Sequence, residues 1–107
     1  MNLQELLTQE NIFFLSADSL EESIETLVSI LQQSGRISKD PDILNSILEN
    51  EKELCTAAGR GIVYPHGTIS GIREFIPIIG ISPRGIHYKS PDSLPCHIIV
   101  LTLSPDS

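Results

Sequence analysis

The sequence predicts an α/β domain, a small mixed β-sheet flanked by helices, and three observations carry that prediction. Apolar residues recur at helical spacing over residues 20–31 and again over 43–48. The stretches 62–64, 76–81 and 98–103 read instead as short, continuously apolar strands. The chain has 107 residues, 40% of them apolar and 20% charged, which is enough for one domain over residues 1–107 with a core of its own.

Taken in order, Leu3, Leu6 and Leu7 predict a short opening helix, and Ile12, Phe13, Phe14 and Leu15 a short strand. Asp18 and Glu21 have the spacing of a capping box, in which each side chain accepts from the other residue's end of the first turn. Behind them Leu20, Ile24, Leu27, Val28 and Leu31 form the stripe of a helix over about residues 19–33, and Gly35 suits its left-handed stop. Asp40 followed by Pro41 predicts a second cap, with proline pre-set at the first helical position of a helix over about residues 41–53. Its stripe is Ile43, Leu44, Ile47 and Leu48. Both stripes are too wide to leave in water, so both helices are expected on one face of the sheet.

Beyond Leu54 the pattern changes. Ala57, Ala58, Gly59, Arg60 and Gly61 predict a small-residue loop, and Ile62, Val63 and Tyr64 a strand, with Pro65 biasing Tyr64 towards the extended region. Pro77 sets the 76–81 strand near an edge or a start of its sheet. Ser82-Pro83-Arg84-Gly85 and Ser90-Pro91-Asp92 read as turns.

Composition narrows the function. A net charge of −7 argues against nucleic acid, whose phosphates require a basic footprint. No apolar run approaches the roughly 18 residues of a membrane span, so no direct membrane insertion is expected. The opening Met1-Asn2-Leu3-Gln4-Glu5 has neither the basic start nor the apolar run of a signal peptide. Two cysteines, Cys55 and Cys96, exclude a disulfide scaffold and fit reduced thiols in a cytoplasmic protein.

Among the three histidines, His66 is distinguished by its neighbours. It follows Tyr64-Pro65 at the end of an apolar strand and precedes Gly67 and Thr68, on a stiff strand-end turn whose glycine permits a close approach. A neutral imidazole attacks phosphorus well near pH 7. Thr56, Gly59 and Gly61 offer a hydroxyl and backbone amides to phosphoryl oxygens. Local features alone favour a turn histidine bonded to backbone. His97 opens a strand and reads as structural, and His87 lies in a polar loop and reads as solvated. Cys55, Cys96, His66 and His97 lack the spaced pairs of a zinc site, so no metal is expected. Glu49, Glu51 and Glu53 read as a solvated helix face that also suits a basic partner.

The stretch from Thr56 to Gly67, with Gly59-Arg60-Gly61, a short apolar strand and Pro65-His66-Gly67, resembles the signature of enzyme IIA domains of the fructose/mannitol type. These belong to the phosphoenolpyruvate-dependent phosphotransferase system and include its nitrogen-regulatory branch. Glu10-Asn11-Ile12, the helix over residues 20–33, Gly35-Arg36-Ile37, Ser82-Pro83-Arg84-Gly85-Ile86 and the run from Leu94 to Leu101 resemble the same family. The resemblance implies that His66 accepts a phosphoryl group from a histidine phosphocarrier protein. It passes that group to an enzyme IIB partner, or holds it as a mark read by a regulated transporter or kinase, with no cofactor. Thr56, Gly59, Gly61 and Gly67 are the residues expected to support the phosphoryl group.

Two departures from the family bear on that expectation. The family's arginine sixteen residues before the phosphoacceptor is Asn50 here, which has no charge to hold a phosphoryl group. A further histidine follows the last strand in the family, and this chain stops before that point, with the C-terminal helical part. Residues 1–107 are therefore expected to be an N-terminal portion of a longer domain or a shortened variant of it. The apolar surface left uncovered predicts self-association. The alternative function is an enzyme IIA-like regulatory module that binds partners with weak or no phosphotransfer.

Overall fold

In the computed structural model, which describes residues 11–88 and 91–106, the elements run β1 (Ile12–Phe14), α1 (Leu20–Gln33), α2 (Asp42–Leu54), β2 (Ala57–Gly59), β3 (Ile62–Val63), β4 (His66–Ile69), β5 (Ile76–Ile86) and β6 (Cys96–Pro105). The helix expected from Leu3, Leu6 and Leu7 lies outside the described residues. The strands form one mixed sheet in the order β1-β5-β6-β3-β2, with β4 also on β6. β5 and β6 are antiparallel, β1 runs parallel to β5, and both β3 and β4 run parallel to β6. β3 and β4 are laid end to end along one edge of β6, separated by Tyr64-Pro65. Proline has no N–H for the ladder, and Pro65 instead offers its carbonyl to the N–H of Thr102 at 3.1 Å.

The stripe of α1 is buried as its spacing predicts: Leu20, Ile24, Leu27, Val28 and Leu31. Its cap sits one residue later than the Asp18–Glu21 pair. Ser19 is extended, with φ −136 and ψ 161, which aims its Oγ at the first turn, where it accepts from the Glu22 N–H at 3.1 Å. The Glu22 carboxylate accepts from the Asp18 N–H at 3.2 Å. Gly35 takes φ +81 beyond the helix end, the stop its position predicts. At the second helix Asp40 does act as a cap, its Oδ1 accepting from the Asp42 N–H at 2.9 Å. Pro41 stands just outside the helix instead of opening it.

Both helices lie over the sheet, α1 against β5 and β6 and α2 against β4. Ile24, Leu27, Leu31 and Ile47 meet Ile78, Ile99, Leu101 and Leu103 in the core between the layers, all effectively inaccessible to solvent. Pro77 lies near the start of β5, before the pairing with β1 begins at Ile79, so its missing N–H opposes no partner on that side. No helix among the described residues is long and apolar enough to cross a membrane.

Two expected loops are strands. Ala57–Gly59 pairs antiparallel with β3, so the Gly59-Arg60-Gly61 segment is the tip of a tight hairpin. Ser82 to Gly85 continues β5 as a bulge, because four residues there oppose only His97 between the pairs Ile81↔Ile98 and Ile86↔Cys96. Gly85 absorbs the bend at φ +82, and the His97 Nδ1–H donates to the Ser82 carbonyl at 2.8 Å. His97 is thus a cross-strand tie, as its structural reading predicts, though its residue is exposed instead of buried.

On the sheet face away from the helices, Phe14, Ile81, Ile98 and Ile62 align as one cross-strand row. Phe14 is 77% exposed and Ile98 36%, so an apolar row faces solvent.

Candidate functional site

His66 opens β4 instead of closing a strand, directly after the Pro65 break. Its residue is exposed, and Nδ1 faces the Tyr64 carbonyl at 3.5 Å, the long limit of a hydrogen bond. With Nδ1 turned back on its own strand, Nε2 is the nitrogen left to point outward. The backbone is held more firmly than the ring. The Asn50 amide donates to the His66 carbonyl at 3.1 Å, and the preceding Pro65 carbonyl is tied to Thr102. Asn50, the residue that the resemblance sets at an arginine position, here clamps the main chain of the candidate nucleophile.

Gly67 explains how α2 comes close enough for that clamp. A Cβ there would lie 2.9 Å from Cγ1 of Ile47, a fully buried core residue. Beside it, an open recess of about 320 Å³ is lined by Ser46, Glu49, Asn50, Glu53, Gly67 and Thr68. This recess is therefore bounded by α2 and by Gly67 and Thr68, and neither His66 nor the Thr56–Gly61 segment lines it.

For that segment the sheet register explains why. The Gly61 carbonyl accepts from the N–H groups of His97 and Ile98, whereas His66 is level with Thr102. Four to five residues of strand put the hairpin tip about 15 Å from His66. Gly59 and Gly61 serve the turn itself, with φ +85 and +80. The Asp92 carboxylate secures that turn, accepting from the Arg60 N–H at 2.7 Å.

Thr56 is nearer, its carbonyl accepting from the Tyr64 N–H at 3.3 Å, but its donors are spent elsewhere. Its N–H and its hydroxyl both donate to the Glu51 carboxylate, at 2.8 and 2.5 Å. The Tyr88 hydroxyl donates to the same carboxylate at 2.5 Å. Glu51 is thus 5% exposed and belongs to a buried network, not to the solvated face on which its spacing sets it. Glu49 and Glu53 are exposed and line the recess. The only signal for Glu51 in the chain is its place among the residues ending α2. Its partner Tyr88 is thirty-seven residues away, beyond the reach of any local pattern.

This network and its neighbour predict a pH response. Burial, and then the bond to Glu51, raise the pKa of Tyr88. Burial, and then the Asp92 charge, raise that of Cys96. Both groups hold their protons to higher pH in the fold than in the unfolded chain, where Cys96 ionises above about pH 8.5 and Tyr88 above about pH 10. Unfolding then releases protons, so their contribution is complete below about pH 8.5 and is lost as pH rises beyond it. The urea midpoint is expected to fall between about pH 8.5 and 10.5, and a flat profile there would contradict the assignment. His87 is exposed, and among the described residues no three histidine, cysteine or acidic side chains gather as a metal site.

The comparisons with known proteins bear on the fold and on the family. The family model for "Phosphoenolpyruvate-dependent sugar phosphotransferase system, EIIA 2" matches residues 5–107. The fructose-specific EIIABC component of Bacillus subtilis is 28% identical over 102 residues, covering 94% of this chain and 16% of that protein. The chain thus spans less than a fifth of that relative's length. The nitrogen regulatory protein IIA-Ntr of Neisseria meningitidis superposes with a TM-score of 0.81 at 22% identity, covering 96% of this chain and 70% of that one. Enzyme IIA-mannitol of Escherichia coli, solved in complex with phosphorylated enzyme IIB-mannitol, gives a TM-score of 0.73 at 20% identity, covering 94% and 72%. At these identities the two structures establish the fold, and the family match establishes membership. The chain belongs to the EIIA 2 family of the phosphoenolpyruvate-dependent sugar phosphotransferase system.

Proposed function

We propose that this chain is a cytoplasmic phosphocarrier domain that accepts a phosphoryl group on Nε2 of His66 from a histidine phosphocarrier protein. It delivers that group to an enzyme IIB partner or keeps it as a regulatory mark. The observation that carries this reading is an exposed imidazole whose strand is tied at Pro65 and clamped at the His66 carbonyl, with Nδ1 turned back to Tyr64. In-line transfer between two rings needs such positioning more than it needs acid–base chemistry. A bond from phosphorus to Nε2 forms as the donor's N–P bond breaks. Each ring keeps the proton on its other nitrogen, so no proton has to move and no cofactor is called for.

The test is incubation of the chain with labelled phosphoenolpyruvate, enzyme I and the phosphocarrier protein. Acid-labile, base-stable label on the chain is the expected result, and an unlabelled chain would sink the reading.

One observation favours the regulatory alternative: among the described residues no lysine or arginine lines the recess beside Gly67, while Glu49 and Glu53 do. On that reading the domain binds partners with weak transfer or none, and Asn50→Arg is the change that separates the two. The exposed row of Phe14 and Ile98 is expected to let copies of the chain associate. Sedimentation should then show mass rising with concentration, and Phe14→Ser should return it towards the monomer. A strictly monomeric wild type at high concentration would count against this.

A further inference from the structure

A phosphoryl group on His66 brings a charge of roughly −1.5 to −2 and three acceptor oxygens. The recess on the α2 side, which His66 does not line, offers two carboxylates, the already engaged Asn50 amide and the hydroxyls of Ser46 and Thr68. On the face that His66 shares with β6 the sheet supplies further donors. β4 and β6 pair in parallel with His66 level with Thr102 and Thr68 level with Ser104. Along β4, Gly67 and Ile69 are buried while His66 and Thr68 are exposed. Along β6, Leu101 and Leu103 are buried while Thr102 and Ser104 are half-buried. The alternation sets His66, Thr68 and Thr102 on the same face of the β4–β6 pair, with Thr68, on the outer edge, also bordering the α2 recess.

Paired strands lie about 4.8 Å apart, and residues two apart on one strand are separated by about 7 Å. Thr102 is fixed at this level by its own N–H, which donates to Pro65 at 3.1 Å. Elsewhere threonine hydroxyls are engaged: that of Thr26 donates to the Glu22 carbonyl and that of Thr56 to Glu51. Those of Thr68 and Thr102 bond to no other described residue, and each has a proton to give.

Resting on the phosphocarrier reading, we infer that the Thr102 hydroxyl, assisted by that of Thr68, donates to the phosphoryl oxygens on His66. The two hydroxyls form a neutral cradle in a domain whose family cation is replaced by Asn50. They act once the Nε2–P bond is forming and give up no proton, since each donates a hydrogen bond only. The negative charge that accumulates on the equatorial oxygens is what they meet.

Thr102→Val preserves the branched shape and removes only the hydroxyl, Thr102→Ser restores it, and Thr68→Val tests the second donor on an exposed position. Two readouts apply. One is labelling from phosphoenolpyruvate, enzyme I and phosphocarrier, separated into maximal rate and carrier concentration at half-maximal rate. The other is the half-life of the isolated phosphorylated chain, loaded with phosphoramidate so that no partner protein is involved. Thr102→Val is expected to lower the maximal rate about tenfold with the half-saturating carrier concentration unchanged, as loss of one charge-assisted hydrogen bond implies. It should also shorten the phosphorylated half-life, with Thr102→Ser recovering most of both and Thr68→Val showing a smaller loss. Wild-type rate and half-life in Thr102→Val and Thr68→Val, with wild type itself labelled, would overturn the cradle alone. An unlabelled wild type would overturn the phosphocarrier reading and the cradle with it.

Discussion

His66→Ala is expected to abolish the acid-labile label completely while leaving the domain folded. The imidazole is exposed, and its one weak hydrogen bond runs to the carbonyl of Tyr64 at 3.5 Å. The fold therefore loses little, within about 0.5 kcal/mol for an exposed position. The strand itself remains, because the ties at Pro65 and His66 are made by carbonyl oxygens. Loss of label with an unchanged urea midpoint is the result that assigns the nucleophile. Label that survives the substitution would remove His66 from that role. Asn50→Arg in the same assay is expected to raise the transfer rate about tenfold, because a guanidinium both neutralises the phosphoryl charge and can still donate to the His66 carbonyl.

Glu51→Ala is expected to be the most damaging single substitution outside the apolar core. The carboxylate is 5% exposed and accepts from the Thr56 N–H, the Thr56 hydroxyl and the Tyr88 hydroxyl. Through these bonds it joins the end of α2 to the start of β2 and to the chain beyond β5. Alanine leaves three donors without their acceptor, at a cost of roughly 3 kcal/mol once water has reached some of them. That is a large share of the 5–15 kcal/mol typical of a domain, and amounts to about 2 M in urea midpoint. Glu51→Gln should cost less, because one amide oxygen still accepts while the NH2 group confronts a donor. A midpoint shift in Glu51→Ala below about 0.5 M would mean that the network contributes little.

The elements legible in the chain were those whose signal is local. A stripe such as Leu20, Ile24, Leu27 and Leu31 announces a buried helix face wherever the helix ends up, since the period belongs to the backbone. Gly35 announces a left-handed stop because other residues are strained there. Pro65-His66-Gly67 announces its own local geometry, for proline interrupts the ladder and glycine admits Ile47. One misreading was local as well, with Ser19 outcompeting Asp18 for the cap by one residue.

Pairing between distant segments was decided only in three dimensions. Proline and glycine at 83 and 85 mark a departure from regular strand, and nothing in them distinguishes a turn from a bulge until β6 lies alongside. Thr56, Gly59 and Gly61 are close to His66 along the chain, yet the hairpin spends residues going out and returning, so the parallel register on β6 carries the glycines away from the imidazole. Glu51 reads as one more charge on a solvated helix until Tyr88, from beyond β5, closes over it. Thr102 and His66, thirty-six positions apart, become neighbours because β4 follows β3 along the same edge of β6. Helical periodicity and turn chemistry are set by residues a few positions apart and can be read directly. Strand register is set by the combined fit of every residue on both strands, so the surroundings of the candidate nucleophile emerged only when the sheet was assembled.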